Sequence, residues 1–183
     1  MKALLSKAKK VMVAIDAANL NIGLRRYGKA ADIKKLKQYV VKQSLSAAFY
    51  YYAPSFSGDS RHQKFLSFLK YQGFVLRTKP VKVIRTEDGN HRKANFDVEI
   101  AIDVVDKHRK FDTLLLFSGD SDFVALINYL HKKGKKAIVL STRRNVATEL
   151  LKSADEFIDL LKMKVILRPY KTPRPSNAGS GNQ

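Results

Sequence analysis

Residues 114–123 read Leu-Leu-Leu-Phe-Ser-Gly-Asp-Ser-Asp-Phe, and this stretch decides the fold of the chain. Its apolar run predicts a buried strand, which Ser118 and Gly119 interrupt just before Asp120 and Asp122. In an open α/β sheet, ligands bind at the carboxyl ends of strands, where the strand order reverses. A single Asp can simply cap the next helix, but capping explains two carboxylates poorly. The stretch alone therefore leaves both a metal or phosphate site and a structural cap open.

The rest of the chain alternates strand and helix patterns around this stretch. Strands are predicted at 11–15, 46–52, 74–77, 113–117 and 137–140, separated by segments with helical apolar spacing. This order predicts an α/β domain of three layers, with a central mostly parallel sheet and helices on both faces. We expect a basic N-terminal arm at 1–10, the domain at 11–167 and a disordered basic tail at 168–183.

Composition narrows the chemistry that such a domain can carry. The 183 residues are 45% hydrophobic, and no apolar run approaches the roughly 20 residues that a membrane span requires. We find no targeting segment and therefore expect a cytoplasmic protein. There are no cysteines, which excludes disulfides, thiolate metal sites and a Cys nucleophile, and the 4 His show no metal-ligand spacing. A bound metal would need oxygen ligands, which favours Mg²⁺ or Mn²⁺.

Charge is the strongest global signal, because 35 Lys and Arg face 16 Asp and Glu for a net charge of +19. No basic amphipathic helix with an aromatic face stands out, so we favour nucleic acid over a membrane as the polyanionic partner. Basic runs at 61–93 and 131–144 are either a solvated face or a set of phosphate contacts. Tyr50, Tyr51, Tyr52 and Phe56 could stack on unpaired bases, although alternate ones must pack in the core. The candidates for phosphate contacts are Arg77, Lys79, Lys82, Arg85, Arg92, Lys93, Arg143 and Arg144.

Carboxylates follow two of the predicted strands and begin one predicted helix. Asp16 follows the strand 11–15 as Asp120 follows its own strand, so the two face each other if these strands are neighbours. Asp97, near the start of a predicted helix, could form the third side of a cleft between Asp16 and Asp120. Asp16 has an alternative role as a helix cap and Asp97 as a dipole-stabilised first-turn residue. Clustered carboxylates repel one another, and a divalent cation removes that cost.

Four further polar residues have supporting roles in this prediction. Asn19 lies one helical turn after Asp16 and could hold a water or phosphate, or satisfy a cap. Asp103 follows Asp97 by six residues, about 120° away on the helix, so we expect it to be second shell or salt-bridged. Ser118 and Ser121 are turn formers that could orient the neighbouring carboxylates.

Three motifs in this order resemble those of NYN domains, most closely the LabA-like branch, which are relatives of the PIN-domain nucleases. The motifs are Ala-Ile-Asp-Ala-Ala-Asn-Leu at 14–20, Asn-Phe-Asp-Val-Glu at 95–99 continuing to Asp103, and Ser-Gly-Asp-Ser-Asp-Phe at 118–123. The resemblance covers roughly 11–161 and implies a PIN-like fold with metal-dependent ribonuclease activity. By motif, it places the acidic site at Asp16, Asp97, Asp120 and Asp122, with Asn19 alongside. Lys93 lies one residue further from the helix than the usual family lysine.

These observations together predict a metal-dependent endoribonuclease that hydrolyses RNA, with single-stranded RNA favoured. The expected catalytic set is Asp16, Asn19, Asp97, Asp120 and Asp122, the four carboxylates holding Mg²⁺ or Mn²⁺ and a metal-activated water serving as nucleophile. Two alternatives stay open: an RNA-binding regulatory module with little or no turnover, and a nuclease selective for DNA or nucleic-acid structure. PIN relatives often pair, so a homodimer is left open too.

Overall fold

The computed structural model describes residues 10–56, 58–86 and 89–171, with the backbone alone for 82–86 and 89–93. The strands are β1 Lys10–Asp16, β2 Lys29–Ala31, β3 Ser46–Ser55, β4 Val75–Pro80, β5 Lys82–Thr86, β6 Gly89–Lys93, β7 Thr113–Phe117, β8 Lys136–Ser141, β9 Glu156–Asp159 and β10 Leu167–Pro169. The helices are α1 Ala17–Arg25, α2 Ile33–Val41, α3 Ser60–Tyr71, α4 Asp97–Lys107, α5 Val124–Lys132 and α6 Thr148–Ser153. Short 3₁₀ turns cover His108–Lys110, Ser121–Phe123, Leu160–Lys162 and Lys164–Ile166.

Six strands form one parallel sheet in the order β4-β3-β1-β7-β8-β9. From β1 the chain builds outward through β3 and β4 on one side, then returns to build β7, β8 and β9 on the other. The strand order therefore reverses between β1 and β7, where Ile15 pairs with Phe117. This reversal places the carboxyl ends of β1 and β7 side by side, the position at which open α/β sheets bind ligands.

Each face of the sheet is covered by its own set of helices. Side chains alternate along a strand, so Val11, Val13 and Ile15 face α1, α2 and α3. Met12 and Ala14 point the other way, towards α4, α5 and α6. The apolar runs of β1 and β7 are buried on both faces, as a central parallel strand requires. The predicted three-layer α/β architecture is confirmed, and it is the PIN-like fold.

The structure departs from the predicted boundaries mainly at three places. Lys10, predicted to end the N-terminal arm, begins β1. Arg168 and Pro169, predicted to begin the disordered tail, lie in β10, which pairs antiparallel with β2, and Tyr170 N–H donates to Gly28 O at 2.8 Å. Residues 79–93, where the sequence predicted no strand, contain the end of β4 and the β5–β6 hairpin. These strands are short and mostly polar, so no apolar alternation marks them. The rest of the predicted arm and tail, 1–9 and 172–183, lies outside the described residues.

The helices that the structure describes are all too short or too polar to cross a lipid bilayer.

Candidate functional site

Three carboxylates from two elements meet beside the strand reversal. Asp97 is the first residue of α4, while Asp120 and Asp122 follow the carboxyl end of β7. One oxygen from each of the three lies within 4.8 Å of the others. We call these three residues together with Asp16 the acidic cluster. The strand order thus brings together residues that are 81 to 106 positions from Asp16 in the sequence.

Asp16 ends β1, and its side chain is engaged with the start of α1. Asp16 Oδ1 accepts from the backbone N–H groups of Ala18 at 2.9 Å and Asn19 at 3.2 Å, and Oδ2 accepts from Asn19 Nδ2 at 2.7 Å. It is therefore a helix cap, the structural alternative that its position allowed. Burial raises the pKa of Asp16, the bonds from Asn19 and Ala18 oppose that shift, and the negative charge of Asp120 adds to it. Asp16 thus caps a helix, and its charge interacts with those of Asp120 and Asp97, but it is not one of the three residues whose oxygens lie within 4.8 Å of one another.

Asp97 has a buried oxygen that no described residue binds. Asp97 Oδ2 is inaccessible to solvent and has no hydrogen-bond partner among the described residues. Burial raises the pKa of Asp97, and the charges of Asp120, Asp16 and Asp122 raise it further, against an opposing bond from Asn95. A buried polar atom usually finds a partner, so a cation is the natural complement to this oxygen.

The loop between β7 and α5 holds Asp120 and Asp122 in a tight turn. Asp120 N–H donates to Ser118 Oγ at 3.3 Å, and Asp122 N–H donates to Asp120 Oδ1 at 3.1 Å. Gly119 permits this turn, because a Cβ atom there would lie 1.9 Å from the backbone oxygen of Asn145. Ser118 is thus buried within the turn, whereas Ser121 and Asp122 are exposed on its outer side.

Asn145 is a site residue that the sequence analysis missed. Its Nδ2 donates to Asn19 Oδ1 at 3.2 Å, so Asn145, Asn19 and Asp16 form one hydrogen-bonded chain. The loop that carries Asn145 also packs on the aspartate turn, where Ala147 N–H donates to Gly119 O at 2.8 Å. The polar residues that follow the carboxyl end of β8 are the signal that would have found it, since that strand ends at the same edge as β1 and β7.

Asp103 lies on the same helix as Asp97 but outside the acidic cluster. Arg77 binds it through two nitrogens, at 2.7 and 2.8 Å, and Lys107 Nζ and the Tyr52 hydroxyl donate to it at 2.9 and 3.0 Å. The bond from Arg77 is the largest of the effects that hold the pKa of Asp103 far below its ordinary range. The structure therefore realises the salt-bridged alternative for Asp103 and makes it an anchor of α4.

Two of the predicted phosphate-binding residues join β4 to α4. Arg77 is the one that holds Asp103, and Lys79 Nζ lies 2.6 Å from Glu99 Oε1 and 4.7 Å from the centre of the Phe96 ring. These ion pairs fix the first turns of α4 and hence the position of Asp97. Because its guanidinium is already bound in a bidentate pair, Arg77 is poorly placed for nucleic acid, and the geometry favours a positioning role instead.

The remaining predicted nucleic-acid contacts fall into two groups. Arg143 and Arg144 are exposed just after the carboxyl end of β8, the edge of the sheet that carries the acidic cluster. The predicted contacts Lys82, Arg85, Arg92 and Lys93 have side chains outside the described residues. Base stacking on Tyr50, Tyr51 and Tyr52 is excluded, because all three are buried, at most 8% exposed, whereas Phe56 is half-buried.

The acidic cluster fits a hard divalent cation. Its donors are carboxylate oxygens throughout, the ligand type that Mg²⁺ and Mn²⁺ prefer. Oxygens that bind one Mg²⁺ ion are about 3 to 4.2 Å apart, so three oxygens within 4.8 Å of one another can share one ion after a small inward movement. The strongest structural support for such an ion is Asp97 Oδ2, which is buried and has no partner within the described ranges.

Comparisons with known proteins agree with this architecture. The profile of the NYN domain family matches residues 10–161. The chain is 29% identical over 172 residues to Low amplitude and bright protein LabA of Synechococcus elongatus, with 91% of each protein covered. It also matches the crystal structure of a protein of unknown function from Vibrio parahaemolyticus, with a TM-score of 0.75, 24% identity and coverage of 88% of this chain and 97% of the other. The predicted family is confirmed by a profile that spans all three motifs: the chain belongs to the NYN domain family, within the PIN-like nuclease superfamily.

Proposed function

We propose that this NYN domain is a ribonuclease that hydrolyses phosphodiester bonds in RNA with the help of Mg²⁺ or Mn²⁺. The proposal rests on one observation above all: Asp97, Asp120 and Asp122 converge within 4.8 Å, and Asp97 Oδ2 is buried with no partner among the residues that the structure describes. Asp120 also caps the turn after β7, but capping accounts for one of the three carboxylates. Their mutual repulsion is a cost that binding a cation relieves.

The residues of the site have two roles in this proposal, which are binding the ion and positioning its ligands. Asp97, Asp120 and Asp122 would hold the ion. Asp16 would be a fourth ligand, because its carboxylate has lone pairs that are not used by the hydrogen bonds at the start of α1. The bound ion would supply electrostatic stabilisation of the charge that develops on the phosphate and would make water more acidic. Asn145 and Asn19 orient Asp16 through their hydrogen-bonded chain, and the Arg77–Asp103 pair holds the helix that carries Asp97.

The substrate proposal follows from charge. The chain carries a net +19, and Arg143 and Arg144 are exposed at the edge of the sheet where the acidic cluster lies. Positive side chains beside a carboxylate cluster can hold the phosphates on either side of the scissile bond, which the carboxylates alone would repel. Binding through phosphates is independent of sequence and weakens steeply as salt is added.

Cleavage of labelled single-stranded RNA by wild type and Asp120→Asn tests the proposal. With Mn²⁺ or Mg²⁺ the wild type should cut, chelator should stop it, and Asp120→Asn should be slower by about 10²- to 10³-fold with RNA binding retained. Asp106→Asn is the matched control, because Asp106 is an exposed carboxylate at the far end of α4 and should cut like wild type.

The same assay separates the alternative functions. RNA binding without cleavage in any metal would contradict the proposal and leave an RNA-binding regulatory module. Equal cleavage of a matched DNA oligonucleotide would show a nuclease that does not select the sugar, and preference for DNA would overturn RNA as the substrate.

A further inference from the structure

A groove with a volume of about 1020 Å³ lies on the α1 side of the sheet, and no side chain of the acidic cluster lines it. Its walls come from α1, α3 and the short β2–β10 ladder, and we call it the α1–α3 groove. Its lining includes Ala17 and Ala18, directly after Asp16, and also Tyr170 and Lys171. The groove is built from residues that the acidic cluster does not use, so its purpose is a separate question.

Positive charge dominates the lining of the groove. Two carboxylates line it, and both are engaged: Asp32 accepts from Lys35 N–H at 3.0 Å and Asp59 from His62 N–H at 2.8 Å, each at the start of a helix. The described cations that line it are more numerous, namely Arg25, Lys34, Arg61, Arg168 and Lys171, all exposed. A polyanion is therefore the complementary occupant.

Aromatic rings are interspersed with these cations. Phe56 and Tyr170 are half-buried, and Phe68 is 40% exposed, although each is large and apolar. The guanidinium of Arg25 lies 4.9 Å from the centre of the Tyr170 ring, which pairs a cation with a stacking surface. Unpaired nucleobases stack on aromatic and guanidinium planes, whereas a duplex keeps its base faces covered. This mixture favours a single strand over a double helix.

The groove lies next to the candidate catalytic site. Ala17 and Ala18, the first residues of α1, line it, and Ala18 donates its N–H to Asp16 Oδ1 at 2.9 Å. A strand in the groove can therefore extend past the start of α1 towards the acidic cluster.

We propose that the α1–α3 groove binds the unpaired nucleotides of single-stranded RNA that extend from the phosphate at the acidic cluster. The proposal rests on the proposed function for the identity of the polyanion. It adds a binding surface, with base stacking on Tyr170 and Phe68 and phosphate contacts from Arg25 and Arg168. The groove thereby selects single-stranded RNA over duplex RNA, because only the single strand has base faces free to stack on these rings.

Fluorescence anisotropy with full-length protein tests the groove without cleavage, in an Asp120→Asn background at fixed salt. The probes are an end-labelled uridine oligomer and the duplex that this oligomer forms with a complementary adenosine oligomer. Tyr170→Ala and Phe68→Ala should each weaken binding of the single strand at least about fivefold and leave duplex binding unchanged. Tyr71→Ala is the matched control, because Tyr71 is on α3, 87% exposed and outside the groove. Unchanged circular dichroism and melting temperature would show that the variants fold.

Two results would overturn the proposal. Unchanged single-strand affinity in both variants would mean that the groove serves another occupant, such as a partner protein or the segment 172–183 of this chain. An equal loss for duplex and single strand would mean that bases are not read there. Because binding is measured without cleavage, an inactive wild type with the expected binding pattern would contradict the ribonuclease proposal alone.

Discussion

The carboxylates near the two ends of α4 have opposite electrostatic surroundings. Asp103, near the carboxyl end of the helix, is 5% exposed and bound by Arg77, Lys107 and Tyr52. Asp97, at the amino end, has a buried oxygen that binds no side chain or backbone group in the described part of the chain, and it lies among other carboxylates. The pKa of Asp103 is lowered chiefly by its bond from Arg77, whereas that of Asp97 is raised chiefly by burial.

This contrast separates structure from function along a single helix. A buried carboxylate that is fully compensated by cations anchors the helix, and its ionisation stabilises the fold at neutral pH. A carboxylate that is left uncompensated beside like charges lowers the stability of the metal-free protein. The carboxylate at the amino end of α4 therefore does not serve folding. The following predictions test whether Asp103 serves stability and Asp97 serves function.

The largest effect is expected at the anchored end. Asp103→Asn removes the charge that binds Arg77 and Lys107 and should lower the free energy of unfolding by about 3 kcal/mol. Urea unfolding followed by circular dichroism measures this loss. Asp106→Asn is the control, because Asp106 pairs with the same Lys107 but is 71% exposed, and its loss should be below about 1 kcal/mol. Equal losses in the two variants would show that Asp103 is no anchor.

The second prediction concerns the uncompensated end. Mn²⁺ that binds the folded acidic cluster should raise stability by about 2.7 kcal/mol at a concentration 100 times its dissociation constant. Asp97→Asn should lose most of this increase, while Asp106→Asn should keep it. Thermal unfolding with and without Mn²⁺ measures the difference. An increase that survives in Asp97→Asn would place the ion elsewhere on the chain.

The smallest effect is the pH dependence of the metal-free protein. Because the folded-state pKa of Asp97 is raised, its ionisation opposes folding, and this cost disappears as the pH falls through that raised pKa. At pH 7 and in chelator, Asp97→Asn should be more stable than wild type, by less than about 1 kcal/mol because solvent screens much of this side chain. The difference should vanish as the pH falls towards the ordinary value of 3.8. Urea titrations across this range would contradict the assignment if the advantage grew at low pH.

Sequence patterns predicted more of the fold than of the site. The buried strands β1 and β7 were readable from their apolar runs, and the alternation of strands and helices predicted a parallel sheet. The short pair β2–β10 and the β5–β6 hairpin were missed because polar, brief strands carry no apolar period. For the site, the position of each Asp after a strand or at a helix start predicted which residues would approach one another. Asn145 was missed because it lies four residues beyond the end of β8 rather than directly after it.

The sequence by itself determined the class of fold, the absence of thiol chemistry, the excess of positive charge and the aspartates that follow its strands. Only the tertiary structure decided which carboxylates are compensated, because Arg77 and Asp103 are 26 residues apart and meet only when β4 packs beside α4. It also decided that Asp16 caps α1 while sharing the acidic cluster, and that aromatic and basic side chains line one groove. Local patterns fix what a residue can do, whereas its electrostatic partners come from packing between segments distant in the chain.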